Sequence, residues 1–148
     1  MKVLVLGIGN SLLSDDGVGI VVAREIKDRV EDVDIAESNT VGIPLLEHIS
    51  GYDKVILIDS TTRMDVPVGT VREFSLEDIQ KSYPSMSHVI NLPLTIEFGR
   101  KCGEAIPEDV KIYGVGIRDA ATFSESCTAE VNEAIPRIAD YIIQREFA

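Results

Sequence analysis

The feature that most constrains the fold is a glycine-rich turn at residues 7–19, GIGNSLLSDDGVG. The apolar run before it, residues 3–6, has the composition of a buried strand, and residues 18–26 after it have that of a helix. A glycine-rich turn from strand to helix is typical of a dinucleotide site, because glycines let the backbone approach a phosphate. Here the turn ends in two adjacent carboxylates, Asp15 and Asp16, at the position that a phosphate would occupy.

Further details weigh against a dinucleotide. Leu12 stands where the third glycine or alanine of the dinucleotide pattern belongs. Glu37, the candidate for the ribose-binding acid, follows Gly9 by 28 residues, later than is usual. Pyrophosphate at this helix end would also be repelled by the two aspartates. Nucleotide binding is therefore an alternative function and not the leading one.

Strand-like and helix-like segments alternate along the chain. The predicted strands cover residues 2–6, 32–37, 55–59, 70–74 and 110–115. The predicted helices cover about residues 15–30, 44–49, 92–101 and a last segment ending near 144. We expect Ser14 or Asp15 to cap the first helix, Ser124 or Ser126 to cap the last, and Pro136 to kink or split the last one. The alternation predicts an α/β fold with helices on both sheet faces, in a single domain spanning residues 1–148.

Composition narrows the class of protein. The net charge of −11 disfavours nucleic acid and anionic membranes as partners and mildly favours a monomer. No apolar run approaches the roughly 20 residues of a membrane span, and the apolar start is too short for a signal peptide, so we expect a cytoplasmic protein. Cys102 and Cys127 are interpreted as small core residues or inert thiols. A cysteine nucleophile paired with His88 is a minor alternative.

Carboxylates from two strands are expected to meet at one crevice. Asp15 and Asp16 follow the first strand. Asp59 is a charged residue at the end of the third strand, which is otherwise apolar. Right-handed crossovers make these two strands neighbours whose connections leave in opposite directions. The crevice outside their carboxyl ends is then a topological switch point, where open α/β sheets bind ligands.

Of the two histidines, His88 is the better candidate for a metal ligand. It lies in a Ser- and Pro-containing loop before a predicted helix, where the helix dipole favours the neutral imidazole that a metal needs. His48 lies in the middle of a helix. Two carboxylates and one imidazole form a mixed oxygen and nitrogen site suited to Zn, Ni, Mn or Fe(II). The HExxH and GxSxG patterns of zincins and serine hydrolases are absent from the sequence.

A longer pattern runs through essentially the whole chain. It comprises Gly7-x-Gly9-Asn10-x-Leu12-x-x-Asp15-Asp16-x-x-Gly19, Glu37-x-x-Thr40-x-Gly42, residues 55–59, Gly69-Thr70-Val71, the His88 segment and Tyr113-Gly114-Val115-Gly116-Ile117. In this pattern the chain resembles the hydrogenase maturation proteases, which process the large subunit of [NiFe] hydrogenases. It departs from that family at Ser38-Asn39, where a glycine pair is usual, and in the spacing from His88 to Pro93.

The resemblance implies a five-stranded mixed sheet in the order 2-1-3-5-4, with strand four antiparallel. It also implies an endopeptidase that removes the C-terminal peptide of a hydrogenase large-subunit precursor after nickel insertion, with the nickel belonging to the substrate. The metal-binding trio of the family falls on Asp16, Asp59 and His88. We expect Asp16 and Asp59 to be the catalytic carboxylates and Asp16 to activate water. The residues expected to bind the precursor's tail are Glu37, Thr40 and Gly42.

Two other functions remain open from the residues alone. The same crevice could serve a non-catalytic module that binds a metal or a nucleotide. It could also serve a metallohydrolase that acts on small substrates. The adjacent carboxylates of the glycine-rich turn favour a cation over a nucleotide, and so separate the leading function from a nucleotide module.

Overall fold

The computed structural model describes residues 1–39, 42–80, 89 and 91–147, which form a sheet with helices on both faces. The strands are β1 Val3–Ile8, β2 Asp34–Ser38, β3 Lys54–Thr61, β4 Val71–Phe74 and β5 Asp109–Gly116. The helices are α1 Val18–Arg29, α2 Ile43–Ile49, α3 Leu76–Gln80, α4 Leu92–Lys101 and α5 Ala129–Glu146. A 3-10 turn, Ser14–Gly17, precedes α1. None of the helices in the described ranges is long and apolar enough to cross a membrane.

The strand order is β2-β1-β3-β5-β4. Strand β4 runs antiparallel to β5, and the other neighbouring pairs are parallel. This topology confirms the predicted fold class and strand order. β1 and β3 are neighbours whose partners lie on opposite sides, so the switch point is outside their carboxyl ends.

The hydrophobic core lies on both sides of the sheet. Strand β3 shows why, because its side chains alternate between two fully buried clusters. Ile56 and Ile58 belong to the cluster that includes residues of α1 and α5. Val55 and Leu57 belong to the cluster that includes residues of α2 and α4. A strand that is apolar on both faces is stable only in the middle of such a sandwich, which fixes the carboxyl end of β3 at the centre of the sheet edge.

Two of the glycines in the turn allow α1 to sit directly on the sheet. A Cβ on Gly19 would lie 2.1 Å from the carbonyl oxygen of Ile58 and 2.8 Å from that of Ile8. A Cβ on Gly7 would lie 2.7 Å from the carbonyl oxygen of Gly19. Such contacts are far inside van der Waals distance, so only glycine fits at either position. These glycines therefore serve close packing of helix against sheet, and that packing brings the acidic turn down to the end of β3.

The predicted caps of the first and last helices are wrong. Helix α1 begins at Val18, its N-cap is Gly17, and within the described chain no side chain caps it. Helix α5 begins after Thr128, while Ser124 and Ser126 bond to each other in the preceding loop. The carboxylate of Asp15 accepts a hydrogen bond from the backbone N–H of Thr128, the N-cap residue of α5, so it contacts the start of α5 and not that of α1. The sequence could not show this contact because the two residues are 113 positions apart.

Helix α5 is continuous from Ala129 to Glu146 and is not split at Pro136. The carbonyl oxygen of Pro136 accepts a hydrogen bond from the Arg29 guanidinium at 2.8 Å. The buried side of the helix carries Val131, Ala134, Ile135, Ile138, Ala139 and Ile142. This apolar stripe packs on the sheet on both sides of the proline, which offsets the one hydrogen bond that proline removes.

Candidate active site

Two aspartates, one in the turn after β1 and one on β3, lie at the switch point. Asp59 lies on β3 and is fully buried, and Asp16 lies on the 3-10 turn after β1 with only 7% of its surface exposed. Both are at the carboxyl edge of the sheet, outside neighbouring strands. The structure thus brings together the two carboxylates that the sequence placed in one crevice.

Ser60 contacts both carboxylates. Its hydroxyl donates to Oδ1 of Asp16 at 3.4 Å, and its backbone N–H donates to Oδ1 of Asp59 at 2.8 Å. Oδ2 of Asp16 accepts a hydrogen bond from the backbone N–H of Asn10 at 2.9 Å. These donors orient both carboxylates, so each keeps a fixed position in the crevice.

This arrangement favours a cation. Burial penalises a charged carboxylate, and two carboxylates around one serine also repel each other. A cation between them relieves both costs, and carboxylate oxygens suit hard and borderline divalent metals. The crevice therefore has the chemistry of a metal-binding or proton-accepting site, and not that of a phosphate site.

His88 and Thr40 lie outside the described residues. The trio of Asp16, Asp59 and His88 therefore stays a prediction. Within residues 1–39, 42–80, 89 and 91–147, no group of three or more His, Cys, Asp or Glu side chains is placed to hold a metal ion. A third His, Cys, Asp or Glu ligand to a metal at Asp16 and Asp59 would thus come from outside these ranges.

A groove of about 440 Å³ runs between the turn after β1 and the end of β2. It is lined by Gly9, Asn10, Ser11, Leu12, Ile20, Glu37, Ser38 and Asn39. The Glu37 carboxylate is held by the Arg24 guanidinium in a two-bond pair at 2.7 and 2.8 Å. The hydrogen bond to Glu37 raises the pKa of Arg24 above its ordinary value, so the guanidinium keeps its positive charge. Glu37 therefore enters the groove as half of an ion pair.

Gly42 lies at the start of α2. Its backbone is extended, with φ 173°, and its carbonyl oxygen accepts a hydrogen bond from the Leu45 N–H at 2.9 Å. Among the described residues, a Cβ at this position would meet only the Pro44 ring, at 3.9 Å. These residues therefore leave space at Gly42, unlike at the crowded glycines of the first turn, for the close approach of a second backbone.

Asp15 does not face the crevice, although it is adjacent to Asp16. It is fully buried, and its carboxylate bonds to the backbone of Arg118, Asp119 and Thr128 in the segment between β5 and α5. The expectation that both aspartates of the turn converge on Asp59 is therefore wrong for Asp15. The side chains of successive residues in a turn point in different directions, and that of Asp15 points to the segment between β5 and α5.

The two cysteines lie in different environments. Burial, together with the nearby charge of Asp15, raises the pKa of the Cys127 thiol to about 11. A thiol is a nucleophile as its thiolate, so Cys127 is poorly reactive at neutral pH. Cys102 is exposed just after α4 and is therefore not a core residue.

Comparison with known proteins identifies the family. A sequence model of the hydrogenase maturation protease family (HycI) matches residues 20–145. The chain belongs to the hydrogenase maturation protease family. It is therefore a member of a peptidase family, which confirms the resemblance found in its sequence. The match spans most of the chain, from α1 to α5.

Individual relatives agree with this assignment. The chain is 27% identical over 120 residues to the hydrogenase 2 maturation protease of Escherichia coli, covering 78% of this chain and 73% of the relative. It is 31% identical over 138 residues to protein FrxA of Pyrococcus furiosus, covering 88% of this chain and 95% of the relative.

Among solved structures, the hydrogenase-maturating endopeptidase HybD of E. coli superposes with a TM-score of 0.80 at 23% identity, covering 98% of this chain and 91% of that one. HybD of Thermococcus kodakarensis superposes with a TM-score of 0.75 at 22% identity, covering 98% and 99%. These structures show the same fold.

Sequence reasoning missed two side chains in this family member. Ser60, which contacts both carboxylates, directly follows Asp59, and the strand β3 that carries both was predicted to end two residues too early. Arg24, which pairs with Glu37, lies on α1 and was interpreted only as a helix residue. A partial signal for Arg24 existed, because α1 connects the parallel strands β1 and β2 and packs beside β2, which carries Glu37.

Proposed function

We propose that this hydrogenase maturation protease removes the C-terminal peptide of a [NiFe] hydrogenase large-subunit precursor after nickel has been inserted. One observation carries the proposal: the nearly buried carboxylates of Asp16 and Asp59 lie at one crevice, both contacted by Ser60. In a member of this peptidase family, such a pair supplies oxygen ligands and a proton acceptor at the same place.

The nickel is part of the substrate. Asp16, Asp59 and His88 are proposed to contact the metal that the precursor carries, so that a precursor without nickel does not dock productively. Asp16 accepts a proton from a water molecule as the water oxygen bonds to the scissile carbonyl carbon. The C–N bond then breaks, and the proton passes to the leaving nitrogen. Water is consumed, and a new carboxylate and a new amine are formed.

The tail of the precursor is proposed to lie in the groove beside the first turn. Glu37 and Gly42 border the end of β2 and the beginning of α2, and Thr40 lies between them in sequence. The open space at Gly42 and the fixed Glu37–Arg24 pair support this path, because an extended peptide needs a close approach and a polar wall.

The test combines this chain with nickel-loaded and nickel-free precursor and follows the intact mass of the precursor. Loss of a C-terminal peptide only from the loaded form supports the proposal. Asp16→Asn, Asp59→Asn and His88→Ala should each lower cleavage at least a hundredfold. The matched control is Asp28→Asn, which removes an exposed carboxylate on α1 and should cleave normally. Absence of cleavage of both precursor forms, with binding of a nucleotide or a free metal instead, would overturn the proposal in favour of a non-catalytic module.

A further inference from the structure

The buried carboxylate of Asp15 makes hydrogen bonds to the segment between β5 and α5. Its Oδ2 accepts from the backbone N–H groups of Arg118 at 3.1 Å and Asp119 at 3.0 Å. Its Oδ1 accepts from the Thr128 N–H at 2.7 Å. The Thr128 hydroxyl lies 3.1 Å from Oδ1 and 2.9 Å from Oδ2. Both oxygens are therefore engaged by the two ends of one loop, residues 118–128.

The backbone of the acidic turn returns these contacts. The N–H of Asp15 donates to the carbonyl oxygen of Asp119 at 2.9 Å, and that of Ser14 donates to the carbonyl oxygen of Ser124 at 2.9 Å. The Asp119 carboxylate also accepts from the N–H groups of Ala121 and Thr122, which closes the loop on itself. The acidic turn and residues 118–128 thus form one hydrogen-bonded unit.

This unit holds the turn in a conformation that it would not adopt alone. Ser14 has φ +50°, in the left-handed region that non-glycine residues rarely occupy. Such a conformation persists only where the surroundings impose it. The bonds of Ser14 and Asp15 to the loop supply that constraint, and Asp16 is the next residue along the chain. The direction of the Asp16 side chain therefore depends on contacts made by Asp15.

We propose that Asp15 is a positioning residue, whose carboxylate holds residues 118–128 against the turn so that the Asp16 carboxylate stays on Asn10 and Ser60. The effect on cleavage rests on the proposed function; the effect on geometry does not. Asp15 contacts no substrate in this arrangement, because it is fully buried on the side of α5. If the Asp15 carboxylate had only a structural role, its loss would affect the start of α5 and leave the position of the Asp16 side chain unchanged.

The backbone amides of Asn10 and Ser60 distinguish a positioning role from a structural one. The Asn10 N–H donates to the Asp16 carboxylate, and the Ser60 N–H donates to that of Asp59. In Asp15→Asn, an amide nitrogen must face at least one of the N–H donors, which breaks the unit. We expect the ¹H–¹⁵N resonances of Asn10 and Ser60 to move along with those of residues 118–128. Well below the unfolding temperature, kcat for precursor cleavage should fall at least tenfold, with KM changed less than twofold.

Three variants control this experiment. Thr128→Val removes the hydroxyl and keeps its volume, so it should give a smaller shift of the Asn10 resonance, and Thr128→Ser should restore it. Glu146→Gln weakens a buried ion pair at the opposite edge of the sheet and should leave the Asn10 and Ser60 resonances unchanged. Unchanged Asn10 and Ser60 resonances in Asp15→Asn, with loop resonances shifted, would overturn the positioning role. Shifted resonances in a protein whose wild-type form cleaves no precursor would overturn the proposed function alone.

Discussion

The α-carbon of Gly9 faces the backbone carbonyl oxygen of Asp16, so closely that a Cβ on Gly9 would lie 2.0 Å from that oxygen. Gly9 also has φ +150°, which side chains of L-residues rarely tolerate. The first glycine pair of the turn is therefore required by close packing within the protein. It lets the acidic turn fold back on the end of β1 and fixes the backbone that carries Asp16.

Gly9→Ala should damage both stability and activity. The methyl group can be accommodated only if the Asp16 backbone moves, so we expect the free energy of unfolding to fall by roughly 3 kcal/mol. Gly103→Ala is the matched control, because Gly103 also has positive φ, +79°, but a Cβ there meets no atom of the described residues within 4 Å. That variant should lose about 1 kcal/mol and cleave normally. Urea unfolding gives both values, and equal losses would contradict this account of Gly9.

A buried ion pair at the amino edge of the sheet should make stability depend on pH. Glu146 has 4% of its side chain exposed, and it contacts both the Lys54 ammonium and the Tyr113 hydroxyl. Burial raises the pKa of Glu146, but hydrogen bonds from Lys54 and Tyr113 outweigh it and lower the pKa below the ordinary 4.5. Ionised Glu146 therefore stabilises the fold above about pH 4.5, and this contribution is lost as pH falls through the folded-state pKa.

Glu146→Gln should lower the free energy of unfolding at pH 7 by about 2 kcal/mol. This is less than the roughly 3 kcal/mol typical of a broken buried pair, because Asp109 remains 3.8 Å from the Lys54 ammonium. The difference from the wild-type protein should shrink as pH falls below 4.5. Chemical unfolding at several pH values measures it, with Asp109→Asn as the exposed control. A difference that stays constant from pH 7 to pH 3 would refute the assignment.

Cys127 should resist alkylation in the folded protein. With a thiol pKa of about 11, roughly one molecule in a thousand carries the thiolate at pH 8. Iodoacetamide should therefore label the exposed Cys102 first, as peptide mass mapping would show. Cleavage should survive this treatment and the Cys127→Ser substitution within threefold. Loss of cleavage in step with labelling of Cys127 would instead support a mechanism with a cysteine nucleophile.

Glu37→Gln should affect substrate binding more than stability. The Arg24–Glu37 pair is substantially exposed, so its loss should cost at most about 1 kcal/mol of unfolding free energy. We expect KM for the precursor to rise several-fold with kcat nearly unchanged, because Glu37 borders the groove and not the carboxylate pair. Glu25→Gln breaks the comparable Glu25–Arg29 pair on the same helix and should leave KM unaltered. Equal effects of the two variants would mean that Glu37 does not bind the tail.

Much of the fold could be predicted from local pattern. Helix α4, Leu92–Lys101, has the predicted bounds, and β3 and β5 extend the predicted strands by no more than two residues at either end. These elements are encoded by apolar periodicity within a few neighbouring residues. The predicted helix caps were wrong because the surroundings of a helix start depend on the tertiary fold, which brings Asp15 to the backbone N–H of Thr128 at the start of α5.

The sequence by itself determined an α/β chain with carboxylates in the turn after its first strand and at the end of its third, because hydrophobic pattern and turn composition are carried by neighbouring residues. Its long pattern also determined the family. Only the tertiary structure decided that Ser60 contacts both Asp16 and Asp59, while Asp15 is buried against the start of α5. Two adjacent aspartates are chemically equivalent in the sequence. They become different only when hydrogen-bond donors more than 100 residues away are folded against one of them.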